Sequence, residues 1–183
     1  MKTTDILAPE KTGQQEKKAV QYVYSFKDGD GKNKQLLGGK GANLCEMTQI
    51  GLNVPPGFVI TTEACLHYLA TPDRNLPKDL MEVVRKQIKD IEKATGKIFG
   101  DPENPLLVSV RSGSAMSMPG MMDTILNLGL NKKTLLGLIK QTNNERFGYD
   151  AYRRFIQLFG KVALGVPDEK FDKHFEEVKK KAG

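Results

Sequence analysis

Apolar positions along the chain divide it into two kinds of segment. Leu80, Val83, Val84, Ile88, Ile91 and Ile98 recur at helical spacing, which predicts an amphipathic helix over Lys78–Thr95 ending at Gly96. Tyr22–Phe26 is strand-like, and Asp28-Gly-Asp-Gly31 after it is a strong turn signal. Leu36–Met47 reads as a glycine loop running into a helix that stops near Gly51. Val54–Thr61 turns at its two prolines and glycine, then extends into a second strand. Thr61 or Thr62 can cap the short helix that follows, which carries His67 and Tyr68. After a loop at Asp101–Pro105, Leu106–Val110 reads as a buried strand leading to Arg111. Thr124–Leu128 looks like a further strand, turning at Gly129.

Beyond Gly129 the pattern becomes helical. Lys132–Gln141, Tyr149–Phe159 and Lys170–Lys181 carry helix-like sequence, separated by Asn143-Asn144 and by Gly165-Val-Pro167. The expected fold class is therefore α+β, with a mixed α/β part over residues 21–130 and a helical part over 131–183. Residues 1–20 are polar and read as a flexible tail. The last helix ends in Lys-Lys-Lys-Ala-Gly183 with no closing element beyond the glycine, so the helical part is expected to be incomplete.

The bulk numbers narrow the class. A chain of 183 residues with 39% hydrophobic and 27% charged residues can bury a real core, and no segment approaches the roughly 18 apolar residues of a membrane span. Residues 1–20 lack the apolar stretch of a secretory signal, and their acids and lack of arginine argue against a transit peptide. Cys45 and Cys65 have no metal-type spacing and are expected to be buried free thiols in a reducing compartment, the cytoplasm or an organelle. The net charge of +6 is unevenly placed. Residues 21–130 are balanced at twelve basic and twelve acidic, whereas Asn131–Leu164 holds seven basic against two acidic residues. One basic face, not a uniformly basic nucleic-acid binder, is expected from this.

The candidate chemistry sits in Val108–Thr124. A β-branched segment ends at Arg111, and a glycine- and serine-rich loop follows with methionines at 116, 118, 121 and 122. A guanidinium fork at a strand end beside a loop of small residues suits a phosphate. Gly38-Gly39-Lys40-Gly41 is a second such element. It is not a P-loop, because Lys34 and Gly41 stand where that pattern needs glycine and Ser or Thr. Lys40 and Arg111 could converge on one polyphosphate, the first as a point charge and the second bidentate. Asp123 could take a hydroxyl or a magnesium-bound water, although a turn residue is its simpler reading. His67 and His174 have no nucleophile or carboxylate constellation around them in the sequence, and no metal-ligand cluster is legible.

Three blocks carry a family resemblance: Leu37–Leu44, Val54–Thr61 and Ser109–Leu130. Their order and spacing resemble the nucleotide-binding start of the pyruvate, phosphate dikinase family. Met118-Pro-Gly-Met-Met-Asp-Thr124 separates it from the related phosphoenolpyruvate synthases, whose corresponding loop tends to be alanine-rich. The resemblance implies part of an ATP-grasp domain, in which ATP and phosphate become AMP and pyrophosphate as a histidine on another domain is phosphorylated. A further domain then converts pyruvate to phosphoenolpyruvate. By match to the motif, Lys40 and Arg111 would hold the ATP phosphates, Arg111 as the catalytic cation. Gly120, Met122, Asp123 and Thr124 would complete the ATP site, with the loop at Gly120–Asp123 closing over the nucleotide. ATP is then a substrate, Mg2+ is implied with ligands outside this chain, and the partners are ATP, phosphate and the remaining dikinase domains in a homodimer. Nucleic acid and membrane are not expected partners. This chain alone would not complete the reaction, and a catalytically silent nucleotide- or phosphate-binding module or a synthase-type dikinase are the alternatives.

Overall fold

A computed structural model of the chain describes residues 20–113 and 124–182. The expected tail up to residue 19, the four loop methionines, Gly120 and Asp123 lie outside the described residues. Strand β1 (Val23–Ser25) pairs antiparallel with β2 (Phe58–Ile60), Val23 opposite Ile60 and Ser25 opposite Phe58. Side chains alternate faces along a strand, so this short ribbon serves two cores. Val23 packs with Ala64 and Leu80 on one side, while Tyr24 joins Leu37, Ala42 and Cys45 on the other. A fully buried aliphatic side chain contributes about 1.5–3 kcal/mol, so these small clusters are what fix the ribbon between its helices.

Helix α1 (Lys34–Gln49) begins earlier than the glycine pattern predicts. The Asn33 side chain accepts a hydrogen bond from the Leu36 N–H at 3.0 Å and caps a turn upstream of the glycines. The expected glycine loop at Leu36–Gly41 is thereby corrected to one residue: Gly38, at φ 68 and ψ 160, leaves the helical path, and the chain resumes it at once. Helix α2 (Thr62–Ala70) is capped by Thr61, whose side chain accepts from the Ala64 N–H while its own N–H donates to Tyr22 O at 2.9 Å. Thr61 is 1% exposed and joins the strand ladder to the helix start.

Helix α3 (Leu80–Thr95) stops at Gly96, which has φ 68 and donates its N–H to Glu92 O at 2.8 Å. Ile98 fits the helical spacing but falls beyond this stop, in β3 (Ile98–Phe99), and is 52% exposed. Strand β4 (Pro105–Leu106) runs parallel to β3. The turn between them is held by Asp101, whose carboxylate accepts from the N–H groups of Asn104 and Glu103. Those two bonds hold the Asp101 carboxyl below the usual carboxylate range.

The predicted buried strand at Leu106–Val110 is corrected on two counts. Leu106 belongs to β4, while β5 (Val108–Arg111) pairs antiparallel with β6 (Thr124–Leu128), and Val110 is 47% exposed. A continuous apolar run reads as a strand covered on both faces, but β5 lies in a two-stranded ribbon that leaves most of it open. Val108 faces Leu128 and Val110 faces Ile125, so β6 carries one extra residue, with Asn127 in the left-handed region at φ 58.

The helical part comprises α4 (Lys132–Thr142), α5 (Glu145–Leu164) and α6 (Asp168–Ala182). Asn131 and Thr134 form a reciprocal capping box at the start of α4, and the buried Thr134 hydroxyl also donates to Gly129 O at 3.0 Å. α5 starts four residues before expectation on a cap from Asn144, and glycines let it approach its neighbours. Gly148 lies against Ile139 of α4 and Gly160 against Phe171 of α6. The described residues therefore make an α+β fold of six helices and three two-stranded sheets. None of these helices is long and apolar enough to cross a membrane.

The cysteines differ from the pattern expected of two buried thiols. Cys45 is buried on the inner face of α1, and burial pushes its thiol pKa up, whereas Cys65 is exposed on α2. The thiolate is the reactive form. With a soluble disulfide reagent at neutral pH, Cys65 is expected to react at once and Cys45 only on unfolding. Two equally fast thiols in the folded protein would contradict this packing.

Candidate functional site

Two of the predicted phosphate-binding elements meet in the structure. A Cβ placed on Gly113 would stand 4.0 Å from Gly38 Cα, so the chain leaving β5 passes close to the break in α1. Arg111 lies two residues before Gly113, and Lys40 lies two residues after Gly38. Both cations are exposed. The break matters for the electrostatics: residues just past Gly38 open a second helical segment, and the first N–H groups of a helix have no partner within it. Those donors and the helix dipole favour an anion at the same place as the Lys40 ammonium. Gly41 keeps this segment close to the sheet, because a Cβ there would come within 2.8 Å of Val59 Cγ1.

Arg111 and Thr124 are directly opposite each other in the β5–β6 ladder. They form the base from which the chain between 113 and 124 departs and to which it returns. Thr124 is half-buried, and Gly120, Met122 and Asp123 lie outside the described residues. So the structure brings Arg111, Thr124, Gly113 and Gly38 into one region, with Lys40 on the adjoining turn. Sequence reasoning did not single out Gly38 from its glycine neighbours, nor Gly113. The local signal for a helical turn ahead of the glycines was Asn33, a cap residue three positions before Leu36.

Two open clefts occur elsewhere. One, about 260 Å³, is lined by Pro102, Glu103, Gly137 and Lys140, and the other, about 370 Å³, by Asn144, Arg146, Phe147, Asp150 and Arg154. Lys140 pairs with Glu103 at 2.8 Å and Arg154 with Asp150 at 2.8 Å. Each cleft also holds a second cation, Lys133 in the first and Arg146 in the second, so its single carboxylate offsets only part of the positive charge. The same pairing modifies the expected basic face of Asn131–Leu164. Arg153 also pairs with Asp150, and Lys161 with Asp168. The arginine pair holds the Asp150 carboxyl below its ordinary range.

Among the described residues no three His, Cys, Asp or Glu side chains come together to hold a metal ion. His67 is exposed and lies beside the Tyr22 ring at 6.3 Å, and His174 is exposed next to Glu177. Neither is part of the glycine-flanked region.

The strand end bearing Arg111 and the helix bearing Lys40 approach each other through Gly113 and Gly38 in an α+β fold, and comparison with known proteins gives its class. Residues 34–73 match the family model described as pyruvate phosphate dikinase, AMP/ATP-binding domain. The chain is 64% identical over 164 residues to pyruvate, phosphate dikinase of Entamoeba histolytica, an alignment covering 90% of this chain and 18% of that protein. It is 48% identical over 164 residues to the Clostridium symbiosum enzyme of the same name, covering 90% of the chain and 19% of the enzyme. It is also 48% identical over 169 residues to pyruvate, phosphate dikinase 1, chloroplastic, of Arabidopsis thaliana, covering 90% and 17%. The chain belongs to the pyruvate, phosphate dikinase family and represents its AMP/ATP-binding part. It spans less than a fifth of the length of these relatives.

Proposed function

We propose that this chain supplies the ATP site of a dikinase that turns ATP, phosphate and pyruvate into AMP, pyrophosphate and phosphoenolpyruvate. The approach of Gly113 to Gly38 carries the reading, because it sets the Arg111 strand end against the helical break that precedes Lys40. Arg111 would take the phosphate chain bidentately, stabilising charge as a phosphoryl group leaves, and Lys40 with the N–H groups past Gly38 would neutralise the rest. Gly120, Met122, Asp123 and Thr124 are assigned to the ATP site on the family motif, with Thr124 anchored opposite Arg111. In this reading residues 21–130 form the α/β part of an ATP-grasp domain and 131–183 its helical part. Phosphorylation of a histidine and the chemistry on pyruvate belong to further domains of a homodimeric enzyme. Magnesium would arrive on the ATP phosphates and is assigned to no residue of this chain. Two unbridged thiols support a reducing, cytoplasmic location.

Equilibrium binding tests the assignment. The chain is expected to bind ATP and pyrophosphate in a salt-dependent way, and adenosine far more weakly, because the proposed contacts are to phosphate. Equal affinity for ATP and adenosine would overturn the reading.

A further inference from the structure

Helix α1 is gripped on both sides of its break by one element, the β2–α2 corner. After the break, the Gly41 backbone lies against the Val59 side chain of β2. Before the break, the Thr62 hydroxyl donates to the Gln35 carbonyl at 2.6 Å, a contact between positions 27 residues apart. Gln35 sits in the first turn of α1, three residues ahead of Gly38, where the extended ψ of 160 takes the backbone off the helical path. A helix interrupted there has little of its own to fix the angle between its two segments. The cap at Asn33 holds the start of the first turn, and the core side chain Leu37 holds its inner face. The Thr62 hydroxyl supplies a polar restraint on that turn's carbonyl side. Thr61 accounts for the capping of α2, so the Thr62 hydroxyl is left to this one long-range bond.

We propose that Thr62 is a positioning residue for the phosphate site: by holding Gln35 O it sets the direction in which the chain leaves Gly38, and so the placement of the 39–41 N–H groups and Lys40. Thr62 touches no phosphate itself. The inference rests on the phosphate reading of Lys40 and Gly38. Its consequence is selective, since a misdirected Gly38 exit weakens phosphate contacts without touching groups that recognise the nucleoside.

The test uses the 183-residue chain with ATP, pyrophosphate and adenosine as probes. Thr62→Val keeps the shape and removes the donor. It is expected to raise Kd for ATP and pyrophosphate about fivefold, as for loss of one neutral hydrogen bond, with adenosine affinity unchanged. Thr62→Ser is expected to restore wild-type affinity. In a Lys40→Ala background Thr62→Val should cost less than in the wild type, because one of the groups it positions is gone and only the backbone N–H groups remain. Thr62→Val with unaltered ATP affinity, beside a weakened Lys40→Ala, overturns the inference and leaves the phosphate site standing. An equal fall for ATP and adenosine also overturns it, since that is the mark of general loosening. Unchanged ATP affinity in Lys40→Ala overturns the phosphate reading and the inference with it.

Discussion

Arg111→Ala is expected to raise the Kd for ATP tenfold to a hundredfold, and Lys40→Ala about tenfold, with no loss of fold in either variant. Hydrogen bonds to charged groups contribute about 1.5–3 kcal/mol, and about 1.4 kcal/mol corresponds to a factor of ten. Arginine is placed above lysine because its planar fork can make two parallel bonds to one phosphate, while an ammonium acts as a point charge on a flexible stem. Arg111→Lys should therefore fall between wild type and alanine. Both side chains are exposed, so their removal opens no cavity. In a complete enzyme of the family the same two variants are expected to stop AMP formation from ATP. Exchange between pyruvate and phosphoenolpyruvate should persist, because the proposed function assigns that half of the reaction to other domains. AMP formation at the wild-type rate in either variant would remove these residues from the phosphate clamp.

The other large effect is expected at Gly38. At φ 68 and ψ 160 it occupies backbone space that is essentially glycine's alone, and an alanine there costs on the order of 2 kcal/mol. For a domain of this size that corresponds to a fall of about 4–8 °C in Tm. The cheapest relief is to let α1 run straight through the break, which removes the free helix start and turns Lys40 away. Gly38→Ala should thus lose ATP affinity by at least about tenfold, matching the loss of one charged contact, while keeping or increasing helical content. Gly51→Ala is the control. Gly51 also has a positive φ, 84, and open space around it, but it lies at the far end of α1. It should lower Tm and leave ATP affinity alone. If Gly38→Ala behaves like Gly51→Ala, the break has no part in binding.

Much of this molecule was legible because its signals are short-range. Gly96 and Gly165 end α3 and α5 in the left-handed conformation that their positions suggest, and Thr61 caps α2. Each of these depends on residues within one or two turns. The errors have the same physical origin. Ile98 kept helical spacing past a glycine that had already ended the helix. Val108–Arg111 has the composition of a buried strand, but its exposure depends on how many strands stand beside it. Cys65 fits an apolar pattern on α2, yet nothing in the pattern says which helix face meets the core. The caps at Asn33 and Asn131 carried signals that were available, an asparagine three residues before a helical position, and were passed over among stronger glycine cues.

The sequence by itself determined the chemistry of the proposed site: a guanidinium at a strand end, an ammonium in a glycine run, and a motif tying them to dikinases. Those are properties of side chains and of local backbone freedom, and they survive whatever the fold does. Only the tertiary structure decided that the segments carrying them come together. It picked Gly38 out of three candidate glycines, set Gly113 beside it from 75 positions further along the chain, and placed Thr124 opposite Arg111. It also joined Thr62 to Gln35, which no local pattern announces. Such contacts come from how ribbons and helices pack around two small cores, and packing is a sum over the whole chain that no short window of residues contains.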